Sequence, residues 1–240
     1  MGSVVLVHGW GGAFSTTWQR SGFTALLTDG GKDVIGVDLL GHGEAPKPHN
    51  PEAYIDLTER VFDAIDAESP DEPVEAVGFS LGALTLLSAA IARPERFSRV
   101  VLAGIGQNVI DRDHAGATRI VEGLERVIQA EDTDTAPDLD EIDQTARLFV
   151  QYAQQPGNDI RALTAVIRRP PVGDLQPDDF ATVTCPVLIV VGDRDFAHPG
   201  NELARRFPDG RCVTLKNVDH FATPEAFGFF DATLEFLDAI

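Results

Sequence analysis

The feature that most constrains the fold of this 240-residue chain is the regular recurrence of short apolar runs rich in Val, Ile and Leu. Continuous apolar runs of this kind are typical of strands that are buried on both faces, as in a parallel sheet. Helical stretches separate most of the runs, and this alternation predicts strand–helix–strand crossovers in an open, mostly parallel sheet flanked by helices. The six runs are Val4–Val7, Val34–Val37, Val74–Val77, Val100–Leu102, Val187–Val191 and Val213–Leu215.

The helices that we predict between and after these runs follow from helical periodicity and from start and stop signals. The last of them is expected to start after a Thr223 cap, with Pro224 in its first turn. The predicted helices are about Trp18–Leu27, Leu57–Ala67, Leu81–Arg93, Glu202–Phe207 and Pro224–Ala239.

One stretch, from about Gln107 to Ala181, interrupts the alternation. It contains no strand pattern, only two or three helical segments divided by acidic loops with Pro and Gly. We therefore predict an α/β core formed by residues 1–106 and 182–240, with residues 107–181 inserted as a small helical cap over the strand ends.

Composition excludes several classes of partner. The formal net charge of −19 disfavours nucleic acid and anionic membrane surfaces, since both repel an acidic protein. Two cysteines, Cys185 and Cys212, are too few for a disulfide scaffold, and neither belongs to a metal-ligand cluster. No apolar run approaches the roughly 18 residues that cross a bilayer. We expect a cytoplasmic protein that needs no metal or cofactor, and the sequence predicts no oligomeric state.

Polar residues follow most of the predicted strands. In an open sheet of this type, ligands bind at the carboxyl ends of the strands, so these residues are candidates for function. The segments at issue are His8-Gly9-Trp10-Gly11-Gly12, Asp38-Leu39-Leu40-Gly41-His42-Gly43, Gly78-Phe79-Ser80-Leu81-Gly82, Gly192-Asp193-Arg194-Asp195 and Asp219-His220.

The segment around Ser80 is the most informative. In a Gly-x-Ser-x-Gly motif between a strand and a helix, the serine occupies a sharp, strained turn that lifts its hydroxyl out of the sheet. The two glycines allow backbone and helix to approach where a Cβ atom would clash. Here Val74–Val77 leads into the motif and Leu81–Ala92 leads out of it, so the context agrees with a nucleophilic serine.

On these residues the chain resembles the α/β-hydrolase superfamily, from residue 1 to 240 and least clearly in the insertion. The resemblance rests on the His-Gly-Trp loop at His8, the Gly-Phe-Ser-Leu-Gly motif at Ser80, and the late Gly-Asp-Arg-Asp and Asp-His segments. Their order, nucleophile, then acid, then histidine, is the order that this fold uses. Relatives often have Arg where this chain has Leu40, a departure in a structural turn.

The resemblance implies roles for one histidine and one aspartate. His220 stands just beyond the last run and before a helix, where relatives have the general base that takes the proton of the serine. Relatives carry the orienting acid in a Gly-x-x-Asp pattern with Pro four residues on, which Gly192, Asp195 and Pro199 fit. Asp193 is the alternative, as the acid or as a carboxylate that stabilises the loop. The other histidines are His8, His42, His49, His114 and His198.

Acyl transfer also needs an oxyanion hole, two backbone N–H groups aimed at the developing negative charge. One is expected from Leu81, directly after the serine. The resemblance implies that the other comes from Trp10, the third residue of His-Gly-Trp, with Gly9 letting the loop pass close to the site.

The activity that the resemblance implies is hydrolysis of a small, mostly apolar ester or lactone through an acyl-enzyme on Ser80. Thioesterases, C–C bond hydrolases and perhydrolases use the same triad, and fold and triad do not separate them. A ligand-sensing member with slow turnover is the alternative from another class. Candidates for an apolar acyl pocket, although aromatic residues are usually core, are Phe14, Trp18, Phe79, Phe149, Phe196 and Phe221. Candidates for binding a substrate carboxylate, although such residues are usually solvated, are Arg147, Arg161 and Arg168.

Overall fold

A computed structural model describes residues 2–111, 114–171, 173 and 175–240 of the chain. Its sheet has six strands in the order β2-β1-β3-β4-β5-β6, and every neighbouring pair is parallel. Each of the six predicted runs lies inside one strand, so the predicted parallel sheet is confirmed. The strands are β1 Ser3–Val7, β2 Asp33–Val37, β3 Val74–Phe79, β4 Phe97–Ala103, β5 Val187–Gly192 and β6 Gly210–Leu215.

Helices connect the strands. In the described part of the chain they are α1 Phe23–Asp29, α2 Glu59–Glu68, α3 Leu81–Ala92, α4 Gln107–Ile110, α5 His114–Thr133, α6 Gln144–Ala153, α7 Ile160–Ile167, α8 Pro177–Thr182, α9 Asn201–Ala204 and α10 Phe227–Phe236. Shorter turns are the π-helical Ser15–Gln19 and the 3-10 turns Pro51–Tyr54, Pro94–Arg96 and Thr223–Glu225.

Two predicted helices are broken, for identifiable reasons. The stretch Trp18–Leu27 is divided by Gly22, whose φ of 81° ends the π-helical turn before α1 begins. The stretch Pro224–Ala239 starts as a 3-10 turn, and α10 begins only after Ala226, which is extended with a ψ of 129°. Thr223 lies inside that turn and is not a helix cap, because its hydroxyl donates to a backbone carbonyl four residues earlier.

The four central strands, β1, β3, β4 and β5, are largely buried on both faces of the sheet. On one face, alternate strand residues such as Val4, Leu6 and Val101 contact a cluster of aromatic side chains from the first loop, α1 and α10. In that cluster the Trp18 ring lies 5.6 Å from Phe23, and its members are Trp18, Phe23, Phe229 and Phe230. The intervening strand residues are also buried, and α2 and α3 pack against β1 to β4. Burying one such large side chain stabilises the fold by roughly 1.5–3 kcal/mol.

The contacts divide the chain into two compact units. One comprises Met1–Leu39, Leu57–Arg112 and Gly173–Ile240, and includes the whole sheet. The other comprises Leu40–Asp56 and Asp113–Val172. The predicted insertion 107–181 contains five helical segments where two or three were expected, and its residues 112, 113, 172 and 174 lie outside the described residues.

The second unit joins the loop after β2 to the helices of the insertion. Tyr54 is buried and donates its hydroxyl to the Pro48 carbonyl at 2.6 Å. Burial raises the pKa of Tyr54 to about 12, and the Asp159 carboxylate adds to the effect. Asp159 also caps α7 and pairs with His49 at 2.9 Å, so the loop and the helix are held together. Within the described residues, no helix combines the length and the apolar character that a membrane span requires.

Candidate active site

Ser80 forms the turn between β3 and α3 that its motif predicts. Its φ of 51° and ψ of −112° are strained for a residue with a Cβ atom, a conformation that costs about 1–3 kcal/mol. The turn is held by a hydrogen bond from the Ser80 N–H to the Ala103 carbonyl at 2.8 Å. A Cβ atom at Gly78 would lie 2.7 Å from the Gly82 backbone, and one at Gly82 would lie 2.3 Å from the Val7 carbonyl oxygen. Both glycines are therefore required for the close approach of helix and sheet.

The hydroxyl of Ser80 lies 2.9 Å from Nε2 of His220. His220 is buried in the turn after β6, and the Asp219 side chain fastens that turn by accepting from the Ala222 N–H at 3.0 Å. The other ring nitrogen, Nδ1, lies 2.9 and 3.0 Å from the two carboxylate oxygens of Asp195. Because a carboxylate only accepts, Nδ1 carries the proton and Nε2 is free to accept from Ser80.

The two candidate acids have different surroundings. Asp195 follows β5 and is buried, and its Oδ1 also accepts from the Ala197 N–H at 2.8 Å, so the carboxylate is fixed opposite His220. Asp193 is exposed and accepts from the Asn217 N–H at 2.7 Å, which ties the loop after β5 to the loop after β6. The structure therefore brings Asp195 to His220 and leaves Asp193 with a loop contact.

Three aromatic rings lie against the His220 ring. Its centroid is 5.0 Å from that of Phe79, 4.3 Å from Phe196 and 5.5 Å from Phe221. Phe196 is 50% exposed, whereas Phe79 is buried. Gly104 makes room for this arrangement, since with its φ of 67° a Cβ atom would lie 2.6 Å from the Phe79 ring and 3.2 Å from His220 Cε1.

The segment that contains Trp10 is adjacent to the start of α3. Strands β1 and β3 are neighbours, with Val7 paired to Gly78, so the loops that leave them start side by side. Gly9 touches the Phe79 ring, where a Cβ atom would lie at 2.8 Å. Leu81 is the first residue of α3, and the side chains of Trp10 and Leu81 are both buried.

The first loop also holds a buried histidine whose contacts the sequence did not predict. Nδ1 of His8 contacts the Gly9 carbonyl at 2.7 Å, and its Nε2 accepts from the Leu39 N–H at 3.1 Å. Burial lowers the pKa of His8, although the Gly9 carbonyl and the Asp38 carboxylate oppose the shift. A His directly after a strand is the only signal that could have identified it.

Several predicted residues lie elsewhere. Trp18 is fully buried in the aromatic cluster and does not line a pocket. The three candidate arginines have partners within the second unit: Arg147 donates to the Leu139 carbonyl, Arg161 pairs with Asp132 and Arg168 pairs with Glu125. The side chain of His114 lies outside the described residues. Within the described chain, no group of three or more His, Cys, Asp or Glu is arranged to hold a metal ion.

The sequence profile of the alpha/beta hydrolase family matches residues 4–232. The chain belongs to this α/β-hydrolase family. It is 29% identical over 241 residues to the pimeloyl-(acyl-carrier protein) methyl ester esterase of Neisseria meningitidis, and this alignment covers 90% of the chain and 70% of the relative. The family predicted from the motifs is confirmed.

Solved structures of similar shape belong to other hydrolases. One is the 2-hydroxy-6-oxo-6-phenylhexa-2,4-dienoate hydrolase of a Rhodococcus species, with a TM-score of 0.70, 18% identity, and coverage of 98% of this chain and 90% of that one. Another is the enol-lactonase of Burkholderia xenovorans, with a TM-score of 0.66, 20% identity, and coverage of 98% and 91%. At these identities the likeness shows the α/β-hydrolase fold alone.

Proposed function

We propose that this α/β-hydrolase cleaves a carboxylic ester or a lactone through an acyl-enzyme on Ser80. His220 is the general base, and Asp195 is the acid that orients it. The observation that carries the proposal is the continuous hydrogen-bonded series from Ser80 Oγ through His220 to the buried Asp195 carboxylate, with contacts of 2.9 to 3.0 Å. A hydroxyl is a poor nucleophile at neutral pH, and this series supplies the base that activates it.

In the first half of the reaction, Ser80 Oγ forms a bond to the substrate carbonyl carbon while its proton passes to His220 Nε2. The carbonyl oxygen becomes an oxyanion, which the N–H groups of Trp10 and Leu81 hold. The tetrahedral intermediate then breaks the carbon–oxygen bond to the alcohol, which takes the proton from His220 and leaves the acyl group on Ser80.

In the second half, a water molecule gives a proton to His220 and attacks the acyl carbonyl. The second tetrahedral intermediate collapses, the carboxylic acid leaves, and Ser80 recovers its proton from His220. A ring-opened hydroxy acid is the product when the substrate is a lactone, since its alcohol and acyl parts are one molecule.

A neutral, apolar acyl group is the substrate that we favour. The net charge of −19 disfavours anionic substrates. The surroundings of His220 are apolar, since the rings of Phe79, Phe196 and Phe221 lie against it. Each of the three candidate arginines already has a protein partner, so we assign none of them to a substrate carboxylate: Arg147, Arg161 and Arg168. The N. meningitidis relative is named for an ester substrate, which agrees with this choice.

We further propose that the insertion 107–181 is a cap that selects substrates. Its central part, Asp113–Val172, belongs to the second unit, where Leu124 and Val127 of α5 are buried and α5 contacts α6 and α7. Replacing it with a short Gly linker should flatten the preference for acyl chain length and leave acetate-ester hydrolysis. A linker variant that melts cooperatively and keeps the full-length preference would contradict the cap. The loop 40–56 is expected to become protease-sensitive, because it packs on α7.

The proposed chemistry is tested by covalent labelling and by a substrate series. A fluorophosphonate should modify Ser80 and no other serine in peptide mapping, and Ser80→Ala should abolish the adduct. Nitrophenyl esters of graded length are compared with a lactone, an acyl thioester, the dienoate that names the Rhodococcus neighbour and an acetate–peroxide mixture. Turnover highest on the thioester, the dienoate or the peroxide reaction would move the protein to one of those activities, and an adduct on Ser15 or Ser88 would overturn the assignment.

A further inference from the structure

The peptide unit between Gly9 and Trp10 is held by two hydrogen bonds to a single atom. The Gly9 carbonyl oxygen accepts from Nδ1 of His8 at 2.7 Å and from the N–H of Gly12 at 3.1 Å. Residue 12 has no room for a side chain in this turn. A Cβ atom on Gly12 would lie 3.2 Å from the Gly9 oxygen and 2.7 Å from Thr17 Oγ1.

Fixing this oxygen also fixes the N–H of Trp10. The two groups belong to the same planar trans peptide, in which the C=O and the N–H point in opposite directions. Rotation that released the Gly9 oxygen would turn the Trp10 N–H by the same angle. The two bonds to the oxygen therefore set the direction in which the proposed oxyanion-hole N–H points.

The two hydrogen bonds of the His8 ring, from Leu39 to Nε2 and from Nδ1 to Gly9, fit one tautomer. The backbone N–H of Leu39 donates to Nε2 at 3.1 Å, so Nε2 has no proton, and the ring must carry its proton on Nδ1. That proton is the one donated to the Gly9 oxygen. Complete burial lowers the pKa of the ring and keeps it neutral. Leu39 itself follows β2, whose end is anchored where Asp38 accepts from the Phe14 N–H at 2.7 Å.

We propose that His8 is a positioning residue for the oxyanion hole: through its Nδ1–H it orients the Gly9–Trp10 peptide, and Leu39 selects the tautomer that does so. This inference rests on the proposed function, because it assumes that the Trp10 N–H meets the oxyanion. His8 has no contact with substrate in this proposal. Leu39, after β2, helps to orient the Trp10 N–H, after β1, by its hydrogen bond to His8.

Two substitutions separate the two contacts of His8. Asn has its amide at the level of Nδ1, so His8→Asn keeps a donor for the Gly9 oxygen and loses the acceptor for Leu39. Gln has its amide at the level of Nε2, so His8→Gln keeps the acceptor for Leu39 and loses the donor for Gly9. A purely structural histidine would lose stability in both variants and activity in neither, once both are folded.

We expect His8→Gln to lower kcat by roughly 10- to 100-fold, somewhat less than the loss of a whole oxyanion donor. KM should change little, because the interaction is made in the transition state. His8→Asn should recover most of the lost kcat. The rate of Ser80 labelling by a fluorophosphonate should follow the same order, and urea unfolding identifies conditions in which all three proteins are folded.

The outcomes distinguish this inference from the function on which it rests. Equal kcat and equal labelling rates for the two variants, with wild-type protein active, would overturn the role of His8 and leave the proposed function standing. A larger loss in His8→Asn than in His8→Gln would overturn it as well. Wild-type protein that neither hydrolyses esters nor labels at Ser80 would overturn the proposed function, and the inference with it.

Discussion

Two buried carboxylates lie at opposite edges of the same sheet and have different kinds of partner. At the amino edge, Glu75 of β3 contacts the ammonium of Lys32 at 2.8 Å and the guanidinium of Arg99 at 3.4 Å. At the carboxyl edge, Asp195 contacts the imidazole of His220 at 2.9 Å. Lys and Arg remain charged over the physiological range, whereas a His can gain or lose a proton there.

The difference teaches that burial of a carboxylate does not by itself indicate chemistry. Glu75 pairs with two cations whose charges are fixed, so its cluster holds strands and side chains together and passes no proton. Asp195 is next to a group that can change its proton count, and that group is next to the strained Ser80. A buried acid becomes a candidate for function when its partner can pass a proton to a third group.

The largest effect is expected at the carboxyl edge. Asp195→Asn should lower kcat by about 10⁴-fold, because the amide favours the wrong imidazole tautomer, while the unfolding midpoint changes far less. Asp193→Asn is the matched control, with the same change two residues away in an exposed loop contact, and should cost far less in steady-state ester hydrolysis. Asp193→Asn being the more damaging of the two would exchange their roles.

The second prediction concerns the amino edge, where we expect a substitution to lower stability and to leave kcat unchanged. Glu75→Gln leaves Lys32, whose side chain is only 12% exposed, without its carboxylate. Breaking such a pair should lower the free energy of unfolding by about 3 kcal/mol in urea titrations, with kcat unchanged at temperatures where the protein is folded. Glu95→Gln, an exposed site at the same edge, is the control, with an effect within about 0.5 kcal/mol. A fall in kcat of the folded Glu75→Gln protein would break the division between the edges.

The third prediction concerns Gly104, which lies against the rings of Phe79 and His220. Gly104→Ala combines an unfavourable φ of 67° with contacts to Phe79 and His220, so it should lower stability by about 1–3 kcal/mol and also lower kcat. Gly157→Ala is a matched control, because Gly157 has a φ of 92° and open space around it. That variant should lose stability, by about 1 kcal/mol, and keep kcat. Equal kcat values in the two variants would mean that the crowding does not reach the histidine.

The smallest effect is a pH dependence of stability that comes from the buried His8. His8 has a lowered pKa when folded, so below about pH 6.5 the unfolded chain binds a proton that the folded chain does not. Stability should therefore fall as the pH drops through that value, by at most about 1.4 kcal/mol per pH unit.

His8→Asn removes this proton linkage, so its unfolding midpoint in urea should approach that of wild type between pH 7.5 and pH 5.5. Parallel curves for the two proteins would mean that His8 titrates normally in the folded state. Because both proteins share every other titrating group, the difference between the curves isolates this histidine.

The sheet, and the polar residues that follow its strands, were predictable from the sequence because they depend on local patterns. Buried parallel strands contain continuous apolar runs, and the six runs could be found without knowledge of which strands are neighbours. Helix ends were less predictable: Gly22 and Ala226 break helices through backbone conformations that helical periodicity does not record. The proposed catalytic residues Ser80, Asp195 and His220 could be named from motif order and from the Gly-x-x-Asp pattern, with Asp193 as the alternative acid, and the distances show that Asp195 is the one in contact with His220.

The parts that could not be predicted depend on tertiary register. The hydrogen bond from Leu39 to His8 joins residues 31 positions apart, and it exists because β1 and β2 pair in register from Ser3 to Val7. The loop 40–56 has no sequence pattern that links it to the insertion, yet the two pack as one unit through Tyr54 and Asp159. Such contacts combine ordinary residues, and only the fold makes them neighbours.

The strand order has a consequence for where this chemistry occurs. From β1 the chain steps outward to β2 at one margin of the sheet, then returns past β1 to β3 and proceeds toward the opposite margin. Segments leaving β1 and β3 consequently lead in different directions, one toward α1 and the other into α3, and ligands of open α/β sheets bind at a topological switch point of this kind. Of the two N–H groups proposed for the oxyanion, that of Trp10 belongs to the segment after β1 and that of Leu81 to the start of α3. The strained Ser80 lies directly before Leu81. The order of the strands therefore brings together two segments that are about 70 residues apart in the chain, and neither segment alone holds both of the N–H groups proposed for the oxyanion.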